Sequence, residues 1–460
     1  MINYIKSSIP YYKRMITIAF PIMIQNGVTN FVNMLDNIMV GQVGTLQMTS
    51  VSIVNQLIFV FNLCIFGALS GAGIFTAQFY GKKDDEGVKN TLQFKIVSAI
   101  ILTLAGLAVF ILFGDNLISA YIQSDSDPQD IALVASYSKS YLNIMLWGNL
   151  PFAIASAYAS TMRETNDRVI PMISTVTAVF INLILNYILI FGHFGAPEMG
   201  IEGAAIATVI ARFAECGILM VWGHTHKKKY PFLKRVVSKT TLTKEQIKKI
   251  IIVSTPLLIN EGLWSMGMAF LNQCYSVRGL SVVAAINIVN TLNNVFNVAF
   301  IAFGSAIGII LSQMLGAGKK DEAAKSGPRM IFFATSVVLG FAVVMMCFSR
   351  LFPGIYNTEQ EVKDLASTII IVIASFMPVQ AFTNACYFTL RSGGKTFITF
   401  LFDSGFVWMV SVPLAFCLSR FTEVPIVPLY ITVLSADIIK CILGYTFVHK
   451  GVWLNTVVDD

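Results

Sequence analysis

Four polar side chains share one face of an apolar stretch near the start of the chain. They are Gln25, Thr29, Asn33 and Asp36. Their spacings of four, four and three residues place them on one side of a helix. Such a face is too polar for lipid, and a carboxylate inside a membrane is costly to bury. We therefore interpret Asp36 as a group that binds a proton or a small cation.

Further ionisable residues interrupt later apolar stretches. Glu261 follows Asn260 directly, and we interpret it as a second acidic site that tunes substrate or ion affinity. Asp403 lies close to the end of its apolar stretch. Its charge there could be hydrated from the membrane boundary, and this explains the residue as well as a role in the mechanism does. Asp437 and Lys440 are three residues apart, and we expect them to neutralise each other on one helical face.

Other kinds of chemistry have little support in the sequence. The seven cysteines stand singly in apolar runs, and the four histidines have no carboxylate or thiol at ligand spacing, so no metal site is expected. The phosphate-binding and hydrolase motifs that mark many enzymes are missing from the sequence. We expect neither an enzyme nor a bound cofactor.

The elements that position these residues follow from the composition. Of 460 residues, 55% are hydrophobic and 12% are charged, which is too apolar for a soluble domain and typical of a membrane protein. Cutting the chain at charge and turn clusters predicts twelve membrane helices. They are residues 15–40, 47–79, 92–113, 131–161, 169–192, 201–222, 250–276, 281–315, 328–349, 364–390, 397–418 and 425–448.

The distribution of lysine and arginine predicts the orientation. Most basic residues fall in alternate loops, which we assign to the cytoplasm, so both termini are expected there. Lys95 and Arg212 are expected to extend to the inner membrane surface. The basic stretch within 226–249 is interpreted as a linker that touches anionic lipid, and no nucleic-acid partner is expected.

An internal repeat divides the chain into two halves. Residues 53–78 align with 288–313 at a constant offset of 235, and Gln78 matches Gln313. Six helices in each half make the repeats parallel, and such bundles enclose a cavity between them. We predict an N-terminal lobe over 1–225, a basic cytoplasmic linker over 226–249 and a C-terminal lobe over 250–460.

Three segments resemble a known family. PIMIQNGVTNFVNMLDNIMVGQVGT at 21–45 resembles the first helix of multidrug and toxic compound extrusion (MATE) transporters. INLILNYILIFGHFGAPEMGIEGAAIATVIAR at 181–212 is similar to the fifth and sixth helices of that family, and MRETND at 162–167 and LRSGGKT at 390–396 fit two of its connections. The resemblance covers nearly the whole chain.

This resemblance implies an all-α fold of twelve transmembrane helices in two homologous six-helix bundles with a central cavity. It implies antiport of organic cations or amphipathic drugs against H⁺ or Na⁺ at the inner or plasma membrane, and we expect a monomer. A lipid-linked precursor flippase of the same superfamily is the alternative, although its cavity would be strongly cationic. A receptor built on a transporter scaffold is a third possibility.

The resemblance also assigns residues to roles. Asp36 matches the coupling aspartate of helix 1, and Asn182 and Asn186 match the polar pair of helix 5, which with Asn33 would form the cation-coupling network. Some members have Asp at the position of Asn186, which leaves open whether H⁺ or Na⁺ is the coupling ion. Glu261 matches a helix 7 glutamate, with Gln380 where one branch has an aspartate. Pro21 matches a helix-bending proline.

Overall fold

The computed structural model describes residues 2–122, 127–236, 241–356 and 358–458. Twelve long helices run through this part of the chain, which confirms the predicted all-helical fold. They are α1 Ile2–Gly41, α2 Thr45–Gly81, α3 Asp85–Ser119, α4 Pro128–Glu164, α5 Val169–Phe191, α6 Gly200–Thr225, α7 Lys244–Ser276, α8 Leu280–Gly316, α9 Lys320–Phe348, α10 Gln360–Ser392, α11 Thr396–Phe421 and α12 Ile426–His449. Between α9 and α10 lies one short helical turn, Leu351–Gly354.

Within the described ranges, eleven helices are long and apolar enough to cross a membrane. The remaining one, α4, is 37 residues long but carries many Ser, Tyr and Asn side chains, which lowers its hydropathy. Several helices extend past the predicted apolar segments. The clearest case is α1, which begins at Ile2 and not near residue 15, because hydropathy marks the part of a helix that crosses lipid and not its end.

Local residues set several helix ends. The carboxylate of Asp84 accepts a hydrogen bond from the Gly87 N–H at 2.9 Å and caps α3, and Asp127 caps α4 in the same way at Gln129. At the end of α5, Gly192 adopts a left-handed φ of +70°. A side chain there would be strained, so glycine allows the chain to leave the helix.

The chain forms two compact units. One comprises Ile24–Thr76 and Asp84–Ile251, and its apolar core includes Val54, Ile65 and Ala205. The other comprises Met1–Met23, Ala77–Lys83 and Ile252–Asp460, and its apolar cores include Ile307 and Ile370. Helix α1 therefore contributes its first part to one unit and its remainder to the other. The division of the sequence into lobes at 225 and 250 stays a prediction.

The start of the predicted linker is bound to its own unit. Tyr230 and Leu233 are buried, and Pro231–Arg235 forms a short 3₁₀ helix. The Tyr230 hydroxyl donates a hydrogen bond to the carboxylate of Asp167, and Lys229 Nζ lies 2.5 Å from the same carboxylate. These contacts fix residues 229–235 against the connection between α4 and α5. The predicted linker residues 237–240, with Lys239, lie outside the described residues.

Helix α11 is π-helical over Leu401–Gly405 and Val407–Ser411. Two features favour this widened form. The side-chain oxygen of Asn260 accepts the Ser404 backbone N–H at 3.2 Å and so takes a donor from the helical ladder. Pro413 then follows, and it has no N–H to donate. Asp403 therefore lies in a turn whose hydrogen bonds differ from those of an α-helix.

Two expectations about buried charges were wrong. Lys95 does not extend to the membrane surface, because its side chain is fully buried and its Nζ lies 2.5 Å from Glu164 Oε2. Lys440 pairs with Asp403 at 2.7 Å and not with Asp437. In both cases the partner comes from another helix, which spacing along a single helix cannot reveal.

Candidate functional site

A cavity of about 600 Å³ lies inside the unit formed by Ile24–Thr76 and Asp84–Ile251. Side chains of α1, α2, α4, α5 and α6 line it. The predicted site residues Asn33, Asp36, Asn182 and Asn186 all belong to this lining, so the structure brings the proposed coupling network together. Gln25 and Thr29 line the same cavity, as the polar face of α1 predicts.

The Asp36 carboxylate is held by two amides of α5. Asn186 Nδ2 donates to Asp36 Oδ1 at 2.8 Å. Both polar atoms of the Asn182 amide have a hydrogen-bond partner in one orientation of the side chain. In this orientation its nitrogen donates to Asp36 Oδ2 at 2.7 Å and its oxygen accepts from Thr208 Oγ1 at 3.2 Å. Asn182 and Asn186 are one turn apart, so their side chains reach the same carboxylate.

One acceptor of this network has no partner. Asn186 Oδ1 is buried and makes no hydrogen bond within the described part of the chain. A buried oxygen without a donor costs free energy, and such a group calls for an explanation. Together with the Asp36 carboxylate it provides oxygen atoms that a proton donor or a small cation would satisfy. Asn33 lies on the same helix, one turn before Asp36, and completes this part of the cavity wall.

A second polar cluster in the cavity was not identified in the sequence. The Thr175 hydroxyl donates to Glu215 at 2.5 Å, and Gln25 Nε2 donates to the Thr175 hydroxyl at 2.8 Å. The charges of Arg163 and Arg212 both act on Glu215. A signal was present, because Thr208, Arg212 and Glu215 follow at spacings of four and three residues on one face of α6.

Arg212 contradicts the expectation that it extends to the inner membrane surface. Its guanidinium donates to Asn149 Oδ1 at 2.9 Å and lies 5.0 Å from the centre of the Phe152 ring. Both partners belong to α4. The guanidinium therefore stays at the cavity wall, where Arg212 belongs to the lining.

The predicted second acidic site lies in the other unit. Asp403 accepts hydrogen bonds from Lys440 Nζ at 2.7 Å and from Asn260 Nδ2 at 3.1 Å, so its charge is compensated. Glu261 makes no side-chain hydrogen bond within the described chain, although Arg391 and Asp403 are close enough to interact with its charge. Gln380 lies on α10 and does not hydrogen-bond to Glu261 in the described part. The structure therefore brings Glu261 near Asp403 and does not join it to Gln380.

The remaining predictions concern Pro21 and metals. Pro21 lies inside α1, which is helical on both sides of it, two residues before the point where the chain passes from one unit to the other. Its ring cannot donate a hydrogen bond to the carbonyl of Thr17. Over the described ranges, no cluster of His, Cys, Asp and Glu side chains is suited to hold a metal ion.

Comparison with known proteins agrees with this architecture. The MatE family model matches residues 21–188 and 256–417. The "Probable multidrug resistance protein NorM" of Thermotoga maritima is 24% identical over 456 residues, which cover 98% of this chain and 95% of that protein. The "Probable multidrug resistance protein YoeA" of Bacillus subtilis is 26% identical over 457 residues, which cover 97% of this chain and 95% of that protein.

Solved structures show the same fold. A structure described as the "Outward-facing conformation of a multidrug resistance MATE family transporter of the MOP superfamily" has a TM-score of 0.84 at 18% identity, and the match covers 96% of this chain and 95% of that one. The structure described as "Crystal structure of MATE in complex with MaL6" has a TM-score of 0.85 at 17% identity, and the match covers 96% of each chain. The family match spans both halves of the chain, which therefore belongs to the MatE family of multidrug efflux transporters and is a transporter, not an enzyme.

Proposed function

We propose that this protein is a secondary active antiporter. It exports organic cations and amphipathic compounds across the cell membrane in exchange for H⁺ or Na⁺, by alternating access. The observation that carries the proposal is the Asp36 carboxylate in the cavity, with Asn186 Nδ2 at 2.8 Å. Similarity to proteins described as multidrug resistance proteins supports the substrate class.

The coupling step follows from the electrostatics of the cavity. A carboxylate in a poorly hydrated place binds a proton or a cation more readily than one in water, because its bare charge is unfavourable there. Binding at Asp36 neutralises that charge and weakens the hydrogen bonds from Asn182 and Asn186, since bonds to an ionised acceptor are the strong ones. A cationic substrate then competes for the same charge, which makes the two ligands exchange.

Other residues have supporting roles in this proposal. Glu261, with Gln380 on the same lobe, tunes ion or substrate affinity. Pro21 permits α1 to bend at the point where a backbone hydrogen bond is missing. The protein acts as a monomer in the plasma membrane with both termini in the cytoplasm, consistent with the excess of Lys and Arg in alternate loops. It uses no cofactor.

The test is uptake of a fluorescent organic cation into inside-out proteoliposomes, with a pH gradient and a Na⁺ gradient imposed separately. Wild type should accumulate the cation with one gradient, which names the coupling ion, and Asp36→Asn should lose this uptake. Asp115→Asn is the matched control, because the Asp115 side chain is 70% exposed and pairs with Lys139 at the surface. Uptake by Asp36→Asn at the wild-type rate would contradict the role of Asp36.

A further inference from the structure

The cavity has a balanced set of charges. Among the described residues, its lining includes two carboxylates, Asp36 and Glu215, and two guanidinium groups, Arg163 and Arg212. With all four ionised, their charges sum to zero. Glu215 interacts with both arginines, so these three groups together carry one positive charge. Asp36 supplies the negative charge that balances it.

Arg212 is fixed in this arrangement. Its guanidinium bonds to Asn149 at 2.9 Å and lies over the Phe152 ring. Gly148 leaves the space for its stem, because a Cβ at position 148 would lie 2.9 Å from Arg212 Cδ. These contacts hold the positive charge at the cavity wall, unlike that of a flexible side chain at the surface.

Arg212 is also close to the Asp36 network. Thr208, which bonds to the Asn182 amide, precedes Arg212 by four residues on α6, which is a rise of roughly 6 Å. The charges of Arg212 and Asp36 both act on the Tyr141 hydroxyl, so the two groups lie near the same side chain. A cation bound at Asp36 therefore experiences the field of Arg212.

We propose that Arg212, held by Asn149, restricts this cavity to organic cations that carry one positive charge and selects against those that carry two. This inference rests on the proposed function. One positive charge at Asp36 is accommodated, because the carboxylate offsets it. A second charge on the same ligand meets the unbalanced charge of the arginines, and charges inside a cavity are screened less than charges at the surface.

The size of the effect follows from Coulomb's law. A unit charge about 10 Å away at an effective dielectric constant near 20 changes binding of a monocation by about 15-fold. On a dication whose two charges both lie about 10 Å from Arg212 the effect is that factor squared, and a second charge nearer to Arg212 raises it further. Removing the charge of Arg212 should therefore change the ratio of the two affinities by about tenfold or more.

The experiment compares two probes that share one alkyl chain, decyltrimethylammonium with one charge and decamethonium with two. Dissociation constants are measured by calorimetry in detergent, and inhibition of fluorescent-cation uptake is measured in proteoliposomes. Wild type should prefer the monocation. Arg212→Gln should shift the affinity ratio about tenfold toward the dication, while Arg212→Lys, which keeps the charge, should retain the wild-type ratio.

A second variant covers the case in which Arg212→Gln does not fold. Glu215→Gln removes a negative charge from the same cluster, so it should shift the ratio in the opposite direction, toward the monocation. An unchanged ratio in a folded Arg212→Gln protein, or in Glu215→Gln if the former does not fold, would overturn the inference while wild-type transport stands. Wild type that neither binds nor transports either cation contradicts the proposed function itself, and this inference with it.

Discussion

Gly81 and Gly316 occupy the same position in the two repeats. Gly81 lies against the backbone carbonyl of Gln313, three residues before Gly316, and Gly316 lies against that of Gln78, three residues before Gly81. A Cβ at position 81 would overlap the carbonyl oxygen of Gln313, and a Cβ at position 316 would overlap that of Gln78. Gln78 and Gln313 are themselves repeat partners. At the crossing of the ends of α2 and α8, each helix therefore presents a glycine to the backbone of a glutamine on the other helix. The two backbones approach so closely that only glycine fits.

This crossing predicts a loss of stability on substitution. Gly81→Ala and Gly316→Ala should each lower the free energy of unfolding by about 1 to 3 kcal/mol, because the backbones must separate to admit a methyl group. Thermal unfolding in detergent measures the effect. Gly340→Ala in α9 is the matched control, since nothing lies within 4 Å of a Cβ there. Equal melting temperatures for all three variants would show that the crossing is not tight.

The buried pair of Lys95 and Glu164 leads to a double-mutant prediction. Lys95 Nζ also donates to Ser160 and Thr161, both at 3.1 Å, so the ammonium has three partners. Lys95→Met should cost about 3 to 5 kcal/mol of stability, because it removes the ammonium that lies 2.5 Å from the buried Glu164 carboxylate. The double variant Lys95→Met with Glu164→Gln should be more stable than Lys95→Met alone, in the same melting assay. A double variant less stable than the single one would argue against charge pairing as the cause.

The contacts of Asp167 predict a pH dependence outside the membrane segments. Burial raises the pKa of Asp167, but hydrogen bonds from Lys229 and Tyr230 outweigh it, so the pKa lies below its ordinary value of 3.8. A depressed carboxylate pKa adds stability that is present above pH 4 and is lost as the pH falls through the folded-state pKa.

Hydrogen exchange of residues 226–236 between pH 3 and 6, corrected for intrinsic rates, tests this dependence. Wild type should lose protection of this segment toward acid, and Asp167→Asn should show low protection at every pH. Tyr230→Phe removes one of the two contacts to Asp167, so its protection should lie between that of wild type and that of Asp167→Asn. Protection in Asp167→Asn equal to that of wild type at pH 6 would mean that the linker is held by its apolar residues alone.

The two acids of the C-terminal half should separate stability from transport. Asp403→Asn removes the carboxylate that lies 2.7 Å from Lys440, whose side chain is 11% exposed, and should cost about 3 kcal/mol of stability. Glu261→Gln removes a charge that makes no hydrogen bond in the described chain, so its stability should change by less than about 1 kcal/mol. Gradient-driven uptake should nevertheless fall in Glu261→Gln. A melting temperature lowered equally by both changes would assign Glu261 a structural role.

Hydropathy and internal repetition predicted the number of helices and the duplication, because both depend on properties that every residue of a segment contributes. The polar face of α1 was predicted for a similar reason, since helical spacing fixes which residues of one helix share a side. Arg212 and Lys440 show the limit. Their partners Asn149 and Asp403 lie on other helices, and spacing along one helix carries no information about which neighbour it faces.

The same limit explains the missed carboxylate in the cavity. Glu215 shares a polar face of α6 with Thr208 and Arg212, but spacing along one helix does not show whether that face lines a cavity. Its position becomes meaningful through Thr175 of α5 and Gln25 of α1, which are 40 and 190 residues away in sequence.

The π-helical stretch of α11 has a consequence for the phase of that helix. Each such turn holds an extra residue without adding a turn, so side chains beyond it are rotated by about 100° relative to an unbroken α-helix. Deleting one residue between 403 and 408 would therefore not merely shorten the segment. It would turn Asp403 and the residues on its side away from those that follow, so that α11 could not keep Asp403 on Asn260 and Trp408 on the Leu263 carbonyl at once. The length of this segment is thus constrained as tightly as its composition.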